Sequence, residues 1–256
     1  MSGVGSIKPG SLVAEDAAVR VAQPPEYVSR GGHKLAHALQ RFAVDPAGRI
    51  AADLGASTGG FTDCLLQRGA ERVYAVDVGY GQLHWRLRTD PRVVVLERTN
   101  ARYITSLPEP VSLVVVDVSF ISVRLLAPSI LGISPPDAEV IVLVKPQFEA
   151  GKGRVSRGGV VREPGVHREV LESLLEWTSA EGLEVADITA SPLLGPSGNV
   201  EFLAHLLRRA GPGPIPLPPQ WERLGEGRRD MVDEALVEAA AVCQTAGRAA
   251  SASGDG

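Results

Sequence analysis

The chain has 256 residues, 44% of them hydrophobic and 22% charged, which suits one α/β domain with short appendages and excludes a disordered chain. Its two cysteines, Cys64 and Cys243, lie far apart without metal-ligand spacing, which excludes a disulfide framework and fits a reduced cytosolic protein. The net charge of −4 opposes phosphate binding as a whole, yet between Lys145 and Arg162 five basic residues (Lys145, Lys152, Arg154, Arg157, Arg162) face Glu149 alone.

The first residues, MSGVGSIKPGSLVAEDAA, have neither the charged start nor the apolar core of a signal peptide, so a cytoplasmic location is expected. No apolar run reaches a membrane span; Val111–Val118 is strand-sized. Residues 1–25 read as a short β-rich fragment closed by Pro24 and Pro25. Ser29 then caps a predicted helix to about Phe42, with Leu35, Leu39 and Phe42 on one face and the basic Arg30, Lys34 and Arg41 among its residues.

Strands and helices alternate from there. Strands are predicted at Ile50–Leu54, Val73–Val78, Val93–Glu97, Leu113–Val118 and Val140–Val144. A helix starts near Gly60 and ends at Gly69, a C-cap glycine. Further helical patterns cover Tyr80–Arg88, Val123–Leu131 and Val166–Ala180. Strands Glu184–Thr189 and Val200–Leu207 follow, then the Pro-rich linker GPGPIPLPPQ, an amphipathic helix Arg229–Cys243 and a small-residue tail expected to be disordered. Apolar runs such as LVVVDV suit strands covered on both faces, so the fold class is α/β, an open, doubly wound, mostly parallel Rossmann-like sheet.

The segment ADLGASTGGFT carries the strongest chemical signal. Asp53 ends the first strand, and Gly55, Gly59 and Gly60 allow a tight turn and close approach to a ligand at the carboxyl edge of the sheet. Asp77 ends the second strand, where a carboxylate would hold a ribose diol. Ser57 replaces the middle glycine of a dinucleotide fingerprint, which disfavours a dehydrogenase. The loop fits a nucleoside-type cofactor, but it also reads G-x-S-x-G, a hydrolase elbow with Ser57 as nucleophile and Asp117 and His205 following in order. A structural turn is the third reading. His33, His37, His84, His167 and His205 share no zinc spacing, so no metal is expected.

Seven motifs settle that choice. GGHKL, DLGASTGGFT, DVGYGQL, LERTNAR, DVSFIS, LVKPQFE and GPSGNVEF together resemble the hemolysin-A-like (TlyA) family, ribosomal RNA cytidine 2′-O-methyltransferases with an FtsJ-like catalytic domain. The resemblance covers residues 6–208 and implies residues 26–210 as the methyltransferase domain and residues 1–25 as the remnant of an S4-type RNA-binding domain; residues 211–256, outside it, read as linker, helix and tail. It implies S-adenosylmethionine as cofactor, and ribosomal RNA or ribosomal subunits as partner.

Carried over motif by motif, the family's Lys-Asp-Lys-Glu tetrad falls on Lys34, Asp117, Lys145 and Glu201. Methyl transfer to a sugar hydroxyl needs in-line alignment and a proton acceptor. Lys145 is assigned as base and Asp117 as its orienting partner, with Lys34 and Glu201 positioning; the plainer reading is a set of structural ion pairs. Cofactor contacts are expected from Asp53, Gly55, Ser57, Thr58, Gly59, Gly60, Phe61, Asp77 and Asn100, although Phe61 also suits core packing and Asn100 a turn. Arg30, Lys152, Arg154 and Arg157 are expected on RNA, with the glycine-rich, basic segment Gly151–Arg162 closing over it. A membrane-active protein and a catalytically idle RNA-binding module are the competing classes.

Overall fold

The structure is a computed structural model that describes residues 24–151, 153–156, 158–208 and 228–252. The S4-like segment within residues 1–23, the Pro-rich linker, Lys152 and Arg157 lie outside the described residues.

Helix α1 (Gly31–Arg41) leads into β1 (Ile50–Leu54), α2 (Gly60–Gln67), β2 (Arg72–Val76), α3 (Trp85–Arg88), β3 (Val93–Leu96) and β4 (Leu113–Val116). Then come α4 (Ala127–Ile133), β5 (Glu139–Val144), α5 (Pro146–Glu149), α6 (Pro164–Ala180), β6 (Leu183–Ala190), β7 (Phe202–Arg208) and α7 (Arg228–Ala252). The strands form one sheet in the order β3-β2-β1-β4-β5-β7-β6. Pairing is parallel from β3 through β5, and β7 runs antiparallel to both of its neighbours. The mostly parallel, doubly wound architecture read from the apolar runs is therefore present.

Both faces of the sheet are covered, which is why its strands lack polar alternation. Leu113, Val115, Ile141 and Leu143 point to one face and pack with Leu35, Leu39, Phe42 and Leu65 of the α1–α2 layer. Val114, Val116, Val140 and Val142 point to the other, against Ile130, Leu171, Leu174 and Val232. Each such fully buried Leu or Phe stabilises the fold by about 1.5–3 kcal/mol relative to exposure.

Several elements differ from their sequence pattern for identifiable reasons. Ser29 does not cap α1 with its hydroxyl; its carbonyl accepts from Gly32 N–H, and Arg30 is the boundary residue. The helical pattern at Tyr80–Arg88 yields only the short α3. Upstream of it the backbone is committed elsewhere: Gly79 N–H donates to the Asp77 carboxylate and His84 N–H to Thr58 C=O. Val123–Leu131 divides into a 3-10 turn, Val123–Leu126, followed by α4. Helix α7 runs on to Ala252, beyond the amphipathic pattern, because its last turns are rich in alanine, the best intrinsic helix former.

The sheet order reverses between β1 and β4. In open parallel sheets the crevice beyond the carboxyl ends at such a point receives the ligand.

Candidate active site

The loop leaving β1 is shaped for close approach. Gly55 takes φ +93°, and a Cβ there would sit 2.6 Å from the Asp117 carbonyl oxygen, so only glycine lets the two loops touch. A Cβ on Gly60 would lie 2.2 Å from Ser29 Oγ, which keeps α2 close to α1. Ser57 occupies the left-handed region at φ +49°, held by its N–H donating to Asp77 Oδ2 at 2.8 Å. The other Asp77 oxygen accepts from Gly79 N–H at 2.7 Å. Asp77 thus fastens the first loop to the second.

Two contiguous cavities open on this edge. The larger, about 380 Å³, is lined by Gly55, Ser57, Asp77, Asn100, Asp117 and Phe120 among others. The smaller, about 210 Å³, has Arg30, Lys34, Asp53, Thr58, Gly60 and Phe61 in its lining, and shares Gly55, Ser57 and Asp117 with the first. Asn100 Oδ1 also accepts from Arg102 N–H, so the turn-forming role weighed for it is present alongside its place in the cavity wall. Phe61 is buried in the α1–α2 core and touches the cavity only at its margin.

Asp53 is fully buried. Its Oδ2 accepts from Thr62 N–H (2.9 Å) and Thr62 Oγ (2.6 Å), while Oδ1 has no hydrogen-bond partner among the described residues. Burial pushes its carboxyl up to about 7, against the Thr62 hydrogen bonds and with help from the charges of Asp117 and Asp77. A buried oxygen of this kind, in the wall of the smaller cavity, fits an ammonium group of a ligand.

The four charged residues of the tetrad form two pairs. Lys145 Nζ lies 2.6 Å from Asp117 Oδ1 and donates to Ser119 Oγ at 2.8 Å. Lys34 Nζ donates to Glu201 Oε2, both groups almost fully buried. Lys34 and Asp117 line the same small cavity, so the two pairs face one space. Strand geometry explains the placement: Asp117 and Lys145 directly extend β4 and β5, and Glu201 immediately precedes the antiparallel β7, which brings it to the same edge. Gly195 is held against Glu201 Oε1, which a Cβ would approach to 2.6 Å.

Ser119 and Asn199 lie within the motifs DVSFIS and GPSGNVEF, but the motifs assign them no role. Ser119 follows Asp117 by two positions, and only the fold shows that its hydroxyl turns back to Lys145. Asn199, almost fully buried, accepts from Val161 N–H (2.9 Å) and donates to Gly159 C=O (2.9 Å), tying the end of the basic 151–162 segment to the turn before Glu201.

Of the residues expected on RNA, Arg30 is exposed at the rim of the small cavity, and Arg154 pairs with Glu169 at 2.6 Å on the surface. The hydrolase arrangement does not form. Ser57 Oγ meets Gln82, Asp117 pairs with Lys145, and His205 lies within β7 beside Glu139, at the opposite end of β5 from Lys145. No helix among the described residues is long and apolar enough to cross a membrane.

The sequence profile of the FtsJ-like methyltransferase family matches residues 27–208. The 16S/23S rRNA (cytidine-2′-O)-methyltransferase TlyA of Mycobacterium tuberculosis is 50% identical over 212 residues, which is 80% of this chain and 78% of that protein. A protein of Bacillus subtilis, provisionally named rRNA methyltransferase YqxC, is 48% identical over 206 residues, covering 78% of this chain and 72% of its own. A solved structure from Streptococcus thermophilus, provisionally described as a hemolysin, superposes with a TM-score of 0.78 at 39% identity, over 89% of this chain and 79% of that one.

Proposed function

The chain belongs to the FtsJ-like methyltransferase family, and from that premise we propose that it methylates a cytidine 2′-hydroxyl of ribosomal RNA with S-adenosylmethionine as methyl donor. The observation that carries this reading is that Lys34 and Asp117, one member of each lysine–carboxylate pair, line a cavity that also contains the glycine loop and Asp53.

The site fits the donor. The larger cavity falls in the size range of small-ligand sites and offers Asp77 to a ribose diol and Asn100 to a base edge. Each Asp77 oxygen accepts one backbone hydrogen bond and keeps capacity for another. Asp53 Oδ1 is the assigned partner of an amino-acid ammonium, with Thr58 and Gly60 in the same lining; Gly59 between them lines neither cavity and is backed by Leu83 and Leu87. When bound, the donor supplies an electrophilic methyl group on a sulfonium sulfur.

The protein's own residues then align the nucleophile. Lys145 is the assigned acceptor of the hydroxyl proton; Asp117 and Ser119 fix its nitrogen at 2.6 and 2.8 Å. Lys34 lines the smaller cavity with Glu201 behind it, and the pair is assigned to position the sugar. Phe120, 87% exposed at the mouth of the larger cavity, offers an aromatic face to an unpaired base. Arg30 and Arg154, with Lys152 and Arg157 outside the described residues, are assigned to the RNA backbone, and residues 1–25 to a remnant of an S4-type module. A ribosomal substrate places the reaction in the cytoplasm.

Incubation with radiolabelled S-adenosylmethionine and ribosomal subunits from cells lacking the enzyme tests the proposal. Label is expected on a single cytidine ribose per modified subunit, and Lys145→Ala should abolish it. Label in neither subunit nor free ribosomal RNA refutes the substrate assignment.

A further inference from the structure

The segments that leave β4 and β5 are fastened together at three levels. At the first, Lys145 meets Asp117 and Ser119. At the second, the Phe120 and Phe148 rings lie 5.3 Å apart. At the third, the Glu149 carboxylate accepts from Ser122 Oγ at 2.6 Å and from Val123 N–H at 2.9 Å, with Arg124 Nε at 3.9 Å. The first two levels hold groups that face the cleft. The third is a bolt behind them: Glu149 is in the lining of neither cavity and its side chain is nearly buried.

The backbone between these levels is strained. Phe120 takes φ +69°, a left-handed conformation that a bulky residue adopts only when its surroundings impose it. A strained segment relaxes once its far end is released. Without Glu149, the turn at 122–123 loses the acceptor for its backbone N–H and for its hydroxyl, and one of the three fastenings that hold Phe120 in its left-handed conformation is gone. Relaxation of that segment shifts Ser119, and with it one of the two groups that hold Lys145.

We propose that Glu149 is a positioning residue for the methyl transfer, acting through the 117–123 loop on Lys145 and Phe120 rather than on substrate or cofactor. This rests on the 2′-O-methylation reading above. The role is geometric: the glutamine variant can reproduce it, because its carbonyl accepts from Val123 N–H while its amide donates to the Ser122 hydroxyl, which is able to accept. Alanine can do neither.

The test compares Glu149→Ala, Glu149→Gln and Ser122→Ala for kcat, KM for ribosomal RNA, cofactor affinity and hydrogen exchange. Glu149→Ala should lose kcat by roughly ten- to a hundredfold, the scale of an ångström-sized misplacement, with cofactor affinity within about twofold of wild type. Exchange should quicken in residues 117–123 while β4 and β5 stay protected. Glu149→Gln should recover most of kcat, and Ser122→Ala should fall between them. Unchanged kcat in Glu149→Ala, or equal defects in the alanine and glutamine variants, would overturn the assignment. So would a loss spread evenly over kcat, cofactor affinity and thermal midpoint, which marks a merely structural residue. If Glu149→Ala does not fold, unchanged kcat and exchange in Ser122→Ala overturn it instead. A wild-type protein that transfers no methyl group to RNA would sink the functional reading, and the exchange measurement would still decide whether the clamp exists.

Discussion

Lowering the pH through the neutral range should weaken donor binding through one buried carboxyl. Asp53 is fully buried with its carboxyl pushed up to about 7, from 3.8, by desolvation first and by neighbouring carboxylates second. At about 1.4 kcal/mol per pH unit, holding it ionised in the cofactor-free protein costs on the order of 4 kcal/mol above neutrality. The sign follows from which state binds the proton. Between about pH 4 and 7 the unfolded chain has released it and the folded chain retains it, so this group's contribution to stability falls as pH rises through that window and is constant above it. An ammonium placed against Oδ1 reverses the preference and draws the proton off. Donor binding near pH 6 should therefore release roughly 0.9 proton, and affinity should rise close to tenfold per unit from about pH 5.5 toward 6.5. Titration calorimetry at pH 6 in two buffers of different ionisation enthalpy reads the released proton directly. Asp53→Asn should bind weakly, with no buffer-dependent heat, and its stability relative to wild type should rise between pH 4 and 7. Equal buffer dependence in wild type and variant would refute the placement of the ammonium at Asp53.

The two lysines of the tetrad should separate in stability. Lys34→Ala strands Glu201, 2% exposed, and should cost about 3–5 kcal/mol in denaturant unfolding, whereas Lys145→Ala leaves Asp117, whose side chain is 25% exposed, and should cost distinctly less while abolishing methyl transfer. Asn199→Ala removes the acceptor for Val161 N–H and the donor to Gly159 C=O, so about 1–3 kcal/mol of stability should be lost and proteolytic nicking within 151–162 should accelerate. Arg154→Glu replaces a basic side chain whose partner Glu169 is exposed and easily exchanged for phosphate; affinity for an rRNA fragment should fall, and the slope of log K against log salt should shrink by roughly one.

The elements legible in the sequence are those whose pattern and packing demand the same thing. β1 has the bounds read from its apolar run, and α2 ends with Gly69 in the left-handed conformation that a helix stop requires. Asp53, Asp77, Asp117 and Lys145 were legible as strand-end charges because a charge beside an apolar run such as LVVV breaks the pattern at the strand's end. The Lys34–Glu201 pairing was not. It depends on β7 inserting antiparallel between β5 and β6, and strand direction leaves no mark on the order of apolar residues. The partners of Ser119, Glu149 and Asn199 were invisible for a related reason: they are 26 to 40 residues distant, and an isolated polar side chain gives no period to detect. Phe120 is a different case, an aromatic without a pattern of its own that stands in solvent where its backbone takes the left-handed conformation.

On the proposed reading of the site, the fold binds its donor end and its acceptor end into one mechanical unit, which bears on how variants should be interpreted. Gly55 and Asp117 belong to loops after different strands, yet a single methyl group on Gly55 would press on the Asp117 carbonyl. Gly55 and Ala56 N–H both donate to Val76 C=O, and Asp117 N–H donates to Leu54 C=O, so β1, β2 and β4 end in a shared hydrogen-bonded seam. For a displacement whose rate depends on alignment of nucleophile and leaving group, such a seam converts a shift at either end into misalignment at the reacting atoms. A substitution at Gly55 must then impair donor affinity and turnover together. A substitution at Glu149, which lies behind the acceptor side only, should impair turnover alone. If both positions gave the same mixed defect, the seam could not be the path of coupling, and a general loosening of the sheet edge would have to replace it.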